Sequence, residues 1–182
     1  MKSILEKVEQ FAATAHEGQR RKFRDEPYIN HPVRVMQLCS EQTTSLPVLA
    51  AALLHDVLED TPVTADQIRE FLSPLMDSAN TERTLKLVDE LTDRFVKANY
   101  PEWNRRKRKL KEAERLSKIS AEAQTVKYAD IIDNSTEFAS AETDFAAVYL
   151  RECNTLLQKM TKGDPVLHKK AEDTVQKQLE LL

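Results

Sequence analysis

Apolar residues recur at intervals of three and four along almost the whole chain, and that spacing predicts helices. Ile4, Leu5, Val8, Phe11, Ala12 and Ala15 form one such stripe, opened by Ser3-Ile4-Leu5-Glu6 as a capping box and closed by Gly18. A polar loop containing Pro27 follows. Pro32 then suits the first position of a second helix carrying Val33, Val35, Met36, Leu38 and Cys39. A third helix is predicted from about Ser45–Pro47 to Asp60, because Thr61 precedes Pro62 and is pushed out of the α region. Thr64-Ala65-Asp66-Gln67 is a second capping box and opens a fourth helix. Further helices are predicted near 82–97, 104–117, 121–138, 144–162 and 166–181, with breaks at Pro101, Ser120 and Gly163-Asp164-Pro165. No stretch of useful length alternates with the period of a strand. The expectation is an all-α fold, one helical-bundle domain over residues 1–182.

Composition narrows the classes. Only Gly18 and Gly163 are glycines in 182 residues, which excludes P-loops and Rossmann turns, since both need glycine at fixed places. A formal net charge of −3 exerts no global pull on nucleic acid or membranes. No apolar run approaches the ~18 residues of a membrane span, and the first residues lack the apolar core of a signal peptide. Cys39 and Cys153 have neither zinc-ligand spacing nor a disulfide framework and read as reduced core thiols. These features predict a soluble, cytoplasmic protein.

The chemistry concentrates in "AALLHDVLEDTP", residues 51–62, where Asp56, Glu59 and Asp60 crowd the end of a predicted helix. Acids there oppose the macrodipole, at a cost of roughly 0.3–1 kcal/mol each when exposed. A solvated helix end is one reading. A cation held by His55 and Asp56 is the other, with Glu59 and Asp60 one turn further along. Two distant segments bear on the choice. "RRKFRDEPYINHP" puts His31 just before the proline of the second helix, as a cap, a packing residue or a ligand. "VKYADIIDNS" puts Asp130 in an apolar helix, within reach of Lys127 one turn earlier. His16 and His168 have no such surroundings and are given no site role.

Taken in order, "INHP", "ALLHDVLEDT" and "KYAD" with Asn134 four residues on resemble the HD-domain metal phosphohydrolases. Within them, the words are most similar to the hydrolase domain of the RelA/SpoT alarmone enzymes and their small alarmone hydrolase relatives. The similarity covers about residues 5–140, most of the chain, and leaves C-terminal helices over 144–182. It implies a single HD-domain helical bundle in which His31, His55, Asp56 and Asp130 hold one metal. An imidazole and carboxylate set without thiolates suits Mn²⁺, with Fe²⁺ or another divalent ion as the alternative. Glu59 and Asp60 match the family's acidic pair, with Glu59 the expected general base and Asp60 its support.

The resemblance also implies the substrate, a nucleotide bearing pyrophosphate on its 3′ oxygen, cleaved to the parent nucleotide and pyrophosphate. Arg21 and Lys22 match an "RK" pair that grips the nucleotide, and Asn134 is assigned to the ribose or base. A second basic run, "NRRKRKLK" (104–111), contains six cations among residues 105–111; Arg105 and Lys109, four apart, share one helix side. The alternative for such a run is a solvated helix face. After Asp130 the family carries Arg or Lys, whereas this chain has Ile131, Ile132 and Asp133. Loss of that cation leaves both guanine and adenine nucleotides, of the (p)ppGpp and (p)ppApp types, as candidate substrates. Two other readings remain: an HD nucleotidase with a different substrate, and a non-catalytic nucleotide- or nucleic-acid-binding module using the 105–111 run. The acidic pair has no evident purpose in the latter, so nucleic acid is the less expected partner.

Overall fold

A computed structural model describes residues 1–137 and 143–182, and among them no β-strand occurs. The all-α expectation holds. Two compact units divide the chain, Met1–Thr92 and Asp93–Leu182.

The first unit is built around a helix with no polar face. It comprises α1 (Lys2–Ala15), α2 (Asn30–Ser40), α3 (Leu46–Leu54), α4 (Val57–Asp60), α5 (Ala65–Leu72) and α6 (Ser78–Leu91). The sequence of α3, LPVLAAALL, offers nothing to water, and every residue from Pro47 to Leu54 is buried. A helix apolar on all sides must be covered on all sides, and α1, α2 and α6 supply the cover. α5 opens with the expected capping box, Thr64 accepting from the Gln67 N–H and Gln67 from the Thr64 N–H.

Several expected boundaries shift for local reasons. The Ser3 capping box does not form: Met1 is the N-cap, and its carbonyl already accepts from the Ile4 and Leu5 N–H groups. The helix expected over 82–97 runs instead over Ser78–Leu91, because Asp77 caps it by accepting from the Asn80 N–H and Thr92 is extended. The helix expected to run unbroken to Asp60 is interrupted at His55 and Asp56, between α3 and α4. His55 Nδ1 lies 2.8 Å from the Ala52 carbonyl oxygen, the acceptor that an uninterrupted helix assigns to the Asp56 N–H. Asp56 itself sits at φ −97°, ψ −6°, in the sparsely populated bridge region.

The second unit holds α7 (Arg105–Leu116), α8 (Ala121–Glu137), α9 (Thr143–Lys159) and α10 (Pro165–Glu180), with α8 packed on α9 and α10. The expected end of α8 at residue 138 lies outside the described residues. Before α7, the buried carboxylate of Glu112 accepts from the backbone N–H groups of Arg94 and Phe95 at 2.9 and 2.8 Å, and so organises a non-helical segment. Stacked Phe95, Tyr100 and Trp103 fill it. Cys39 and Cys153 are buried and not joined in a disulfide, and burial pushes the Cys153 thiol up to about 12. That fits inert core thiols.

The turn between α9 and α10 requires its glycine. A Cβ on Gly163 would stand 2.5 Å from Tyr128 Cε2 and 2.8 Å from the Thr125 backbone nitrogen. The phenol oxygen of Tyr128 accepts from the Gly163 N–H while its O–H donates to the Met160 carbonyl, so the ring has no room to retreat. Gly163→Ala is therefore expected to destabilise the protein by about 1–3 kcal/mol, the usual range for overpacking. A urea-denaturation midpoint equal to that of the unchanged protein would refute this.

Candidate active site

The break between α3 and α4 faces the first turn of α2. Pro32 lies two residues inside α2, not at its start, so His31 belongs to the first turn, with its N–H donating to the Tyr28 carbonyl. His31 and His55 are almost completely buried, their rings 5.1 Å apart and steeply inclined. Asp56 Oδ2 lies 3.1 Å from His55 Nε2 and 3.5 Å from His31 Nε2. One ligand atom from each of the three residues falls within 4.8 Å of the others.

The hydrogen bonding of His55 defines the chemistry of this point. A carbonyl only accepts, so Nδ1 carries a hydrogen toward Ala52 and Nε2 is the nitrogen turned to Asp56. Two imidazole nitrogens and a carboxylate oxygen thus converge where water has little access. Only a cation, a proton or a metal ion, reconciles those electron pairs. Burial acts to raise the Asp56 pKa, but positive charge on the adjoining His55 and His31 imidazoles, if protonated, outweighs it and holds the carboxyl well below its usual range. The donor set is mixed imidazole and carboxylate with a backbone-oriented histidine, and it fits a divalent transition metal.

On the short α4, Glu59 is exposed, and Asp60 follows it. Burial, and after it the negative charge of Asp56, raises the Asp60 pKa, while a hydrogen bond from Tyr28 partly opposes the rise. Tyr28 is the residue that sequence reasoning passed over: its O–H reaches both Asp56 Oδ2 and Asp60 Oδ2. Burial, followed by the charges and hydrogen bonds of those two carboxylates, pushes its phenol far above the ordinary value and keeps it protonated. Its position three residues before His31, inside the words "EPYINHP", was the available signal. His16, given no role above, is buried and stacks on Tyr28 with ring centroids 4.6 Å apart.

The expected substrate-binding residues fall in different settings. Arg21 lies over the Tyr28 ring, 5.3 Å from its centroid, at the edge of this cluster. The ammonium group of Lys22 lies over Phe23. In the second unit, Asp130 is buried on α8, its carboxylate accepting from Asn134 Nδ2 and paired with Lys127 Nζ at 2.8 Å. Asp130 and Asn134 are therefore neighbours, as their spacing of four implied. Arg105 forms a two-point ion pair with Glu152, and Lys109 pairs with Asp93 at 3.0 Å. Both line a groove of about 650 Å³ between α7 and α9, with Arg106, Leu110, Val148 and Arg151. They do share one side of the basic helix.

Comparison with known proteins agrees with the geometry. The HD domain profile matches residues 28–135, which contain both histidines, Asp56 and the acidic pair. A guanosine-3′,5′-bis(diphosphate) 3′-pyrophosphohydrolase MESH1 from Drosophila melanogaster is 35% identical over 128 residues, covering 69% of this chain and 64% of that protein. Its Mus musculus counterpart is 37% identical over 127 residues, covering 68% and 63%. The match thus spans a little under two thirds of the length of these relatives. Among solved structures, a metazoan ortholog of SpoT, described as hydrolysing ppGpp and playing a role in starvation responses, superposes with a TM-score of 0.80 at 27% identity, over 99% of this chain and 97% of the other. A Listeria monocytogenes protein at 20% identity and a TM-score of 0.62 shares the fold. With more than half of its length matched and the His-His-Asp cluster assembled inside the matched segment, the chain belongs to the HD-domain family.

Proposed function

We propose that the protein is a metal-dependent 3′-pyrophosphohydrolase of alarmone nucleotides such as ppGpp. The observation that carries this reading is the convergence of His31, His55 and Asp56 inside a segment shared with relatives named for that reaction. When bound, a divalent ion, Mn²⁺ or Fe²⁺ by ligand type, supplies Lewis acidity toward a phosphoryl oxygen and water. Water oxygen bonds to the phosphorus attached to the 3′ oxygen. The bond from that phosphorus to the 3′ oxygen breaks, and pyrophosphate leaves a nucleotide with a free 3′ hydroxyl. Glu59, exposed beside the cluster, takes the proton from the attacking water, and an equivalent proton reaches the departing 3′ oxygen to complete the hydroxyl. Asp60 supports it.

Asp130 is proposed as the fourth ligand on the strength of the sequence resemblance alone. Arg21, Lys22, Asn134, Arg105 and Lys109 are proposed to bind the nucleotide and its phosphates, for which cations in an otherwise acidic protein are needed. Ile131 is buried and apolar, so it offers no hydrogen bond to a base edge. Sites relying on apolar contact discriminate by only about 1–3 kcal/mol, and ppApp-type nucleotides are therefore proposed as substrates beside ppGpp. A cytoplasmic location is part of the same proposal. Among the described residues, no helix is long and apolar enough to cross a membrane.

The test is incubation of purified protein with Mn²⁺ and a panel of nucleotides, with or without 3′-pyrophosphate. Pyrophosphate released only from 3′-pyrophosphorylated nucleotides is the expected result. Orthophosphate release would point to a nucleotidase. Tight nucleotide or RNA binding without any turnover would point to a binding module.

A further inference from the structure

We propose that Tyr28 is a positioning residue, tying the metal-ligand carboxylate of Asp56 to the carboxylate of Asp60 so that both face the reacting centre in one fixed arrangement. This rests on the metal-dependent reading above. The phenol oxygen lies 2.7 Å from Asp56 Oδ2 and 2.9 Å from Asp60 Oδ2. A phenol has one hydrogen to give, so a single O–H is held between two carboxylates that would otherwise repel. The Asp56 oxygen it reaches is also the one facing both histidine Nε2 atoms. A hydrogen bond on a ligand oxygen fixes how the carboxylate is rotated toward the metal.

The brace is itself braced. His16 stacks on the Tyr28 ring, and its Nδ1 donates to Gln19 Oε1 at 2.8 Å. Gln19 Nε2 in turn donates to the Asp60 backbone carbonyl at 2.8 Å, and the Tyr28 N–H donates to the Gln19 carbonyl. Contacts therefore run from the Asp60 backbone through Gln19 and His16 to Tyr28, and return to the Asp60 side chain. Such a closed circuit holds α4 against the loop that carries Tyr28, and it occupies Asp60 Oδ2.

The experiment is calorimetric titration of metal-free protein with Mn²⁺, paired with steady-state kinetics on ppGpp, for Tyr28→Phe. Retaining the ring preserves the His16 stack, so the melting temperature stays close to that of the unchanged protein. Mn²⁺ affinity is expected to fall about 10–100-fold, the usual effect of removing a hydrogen-bond partner from a ligand. At saturating Mn²⁺, kcat falls while KM stays within about twofold, a split that a general loss of structure would not produce. Unchanged Mn²⁺ affinity and kcat in folded Tyr28→Phe would overturn the proposal. Should that variant misfold, His16→Leu decides by the same titration, because it loosens the brace without touching a carboxylate; unchanged affinity there overturns it equally. Failure of the functional reading looks different. Unchanged protein that binds Mn²⁺ but cleaves no 3′-pyrophosphate refutes the substrate and leaves Tyr28 to be judged by affinity alone. Unchanged protein that binds no Mn²⁺ refutes both.

Discussion

His55→Ala and Asp56→Ala are each expected to remove bound metal and catalysis together. The two side chains supply adjacent donors to one point, 3.1 Å apart, and with His31 they make up the group of three ligand atoms there. Losing a hydrogen-bond partner of a ligand costs about 10–100-fold in affinity or activity, and losing the ligand itself should exceed that. Elemental analysis after refilling with Mn²⁺, alongside pyrophosphate release, makes the comparison. Metal content near that of the unchanged protein in either variant would show that the histidine–aspartate doublet is a structural ion pair. For His55→Ala the change also deletes the Nδ1 bond to the Ala52 carbonyl. Asp56→Ala keeps that bond and is the cleaner of the two.

The second large effect is expected from Glu59→Gln. Glutamine keeps the size of the side chain and its hydrogen-bonding capacity but cannot accept a proton from water. If Glu59 is the base, kcat should fall by about 10²–10⁴, the usual contribution of general base catalysis. Metal content and KM should hardly change, because the metal-binding group is His31, His55 and Asp56 and the substitution keeps the size of the side chain. Unchanged kcat would transfer proton abstraction to Asp60, the other acid of α4. Loss of metal would instead make Glu59 a ligand.

The amino-acid sequence by itself determined the helical class, the capping box at Thr64, and the apolar run that becomes α3. Each is a local property. Periodicity, caps and a run of nine residues without a polar side chain act over one or two turns and need no partner to be read. The order of histidines and acids was legible for the same reason, since each word is short and contiguous.

What tertiary structure alone decided is where those words meet and what interrupts them. The pattern "LLHDVLED" continues with helical spacing and has no glycine or proline, so nothing in it announces a break. The break follows from burial, which turns His55 Nδ1 onto the Ala52 carbonyl and Nε2 toward Asp56. Tyr28 could not be joined to Asp56 and Asp60 from spacing either, because 28 and 32 residues separate them along the chain. The same holds for Arg105 with Glu152, 47 residues apart. Bonds between distant side chains depend on how helices pack, and packing is set by the summed fit of many apolar surfaces. No local window of sequence contains that sum.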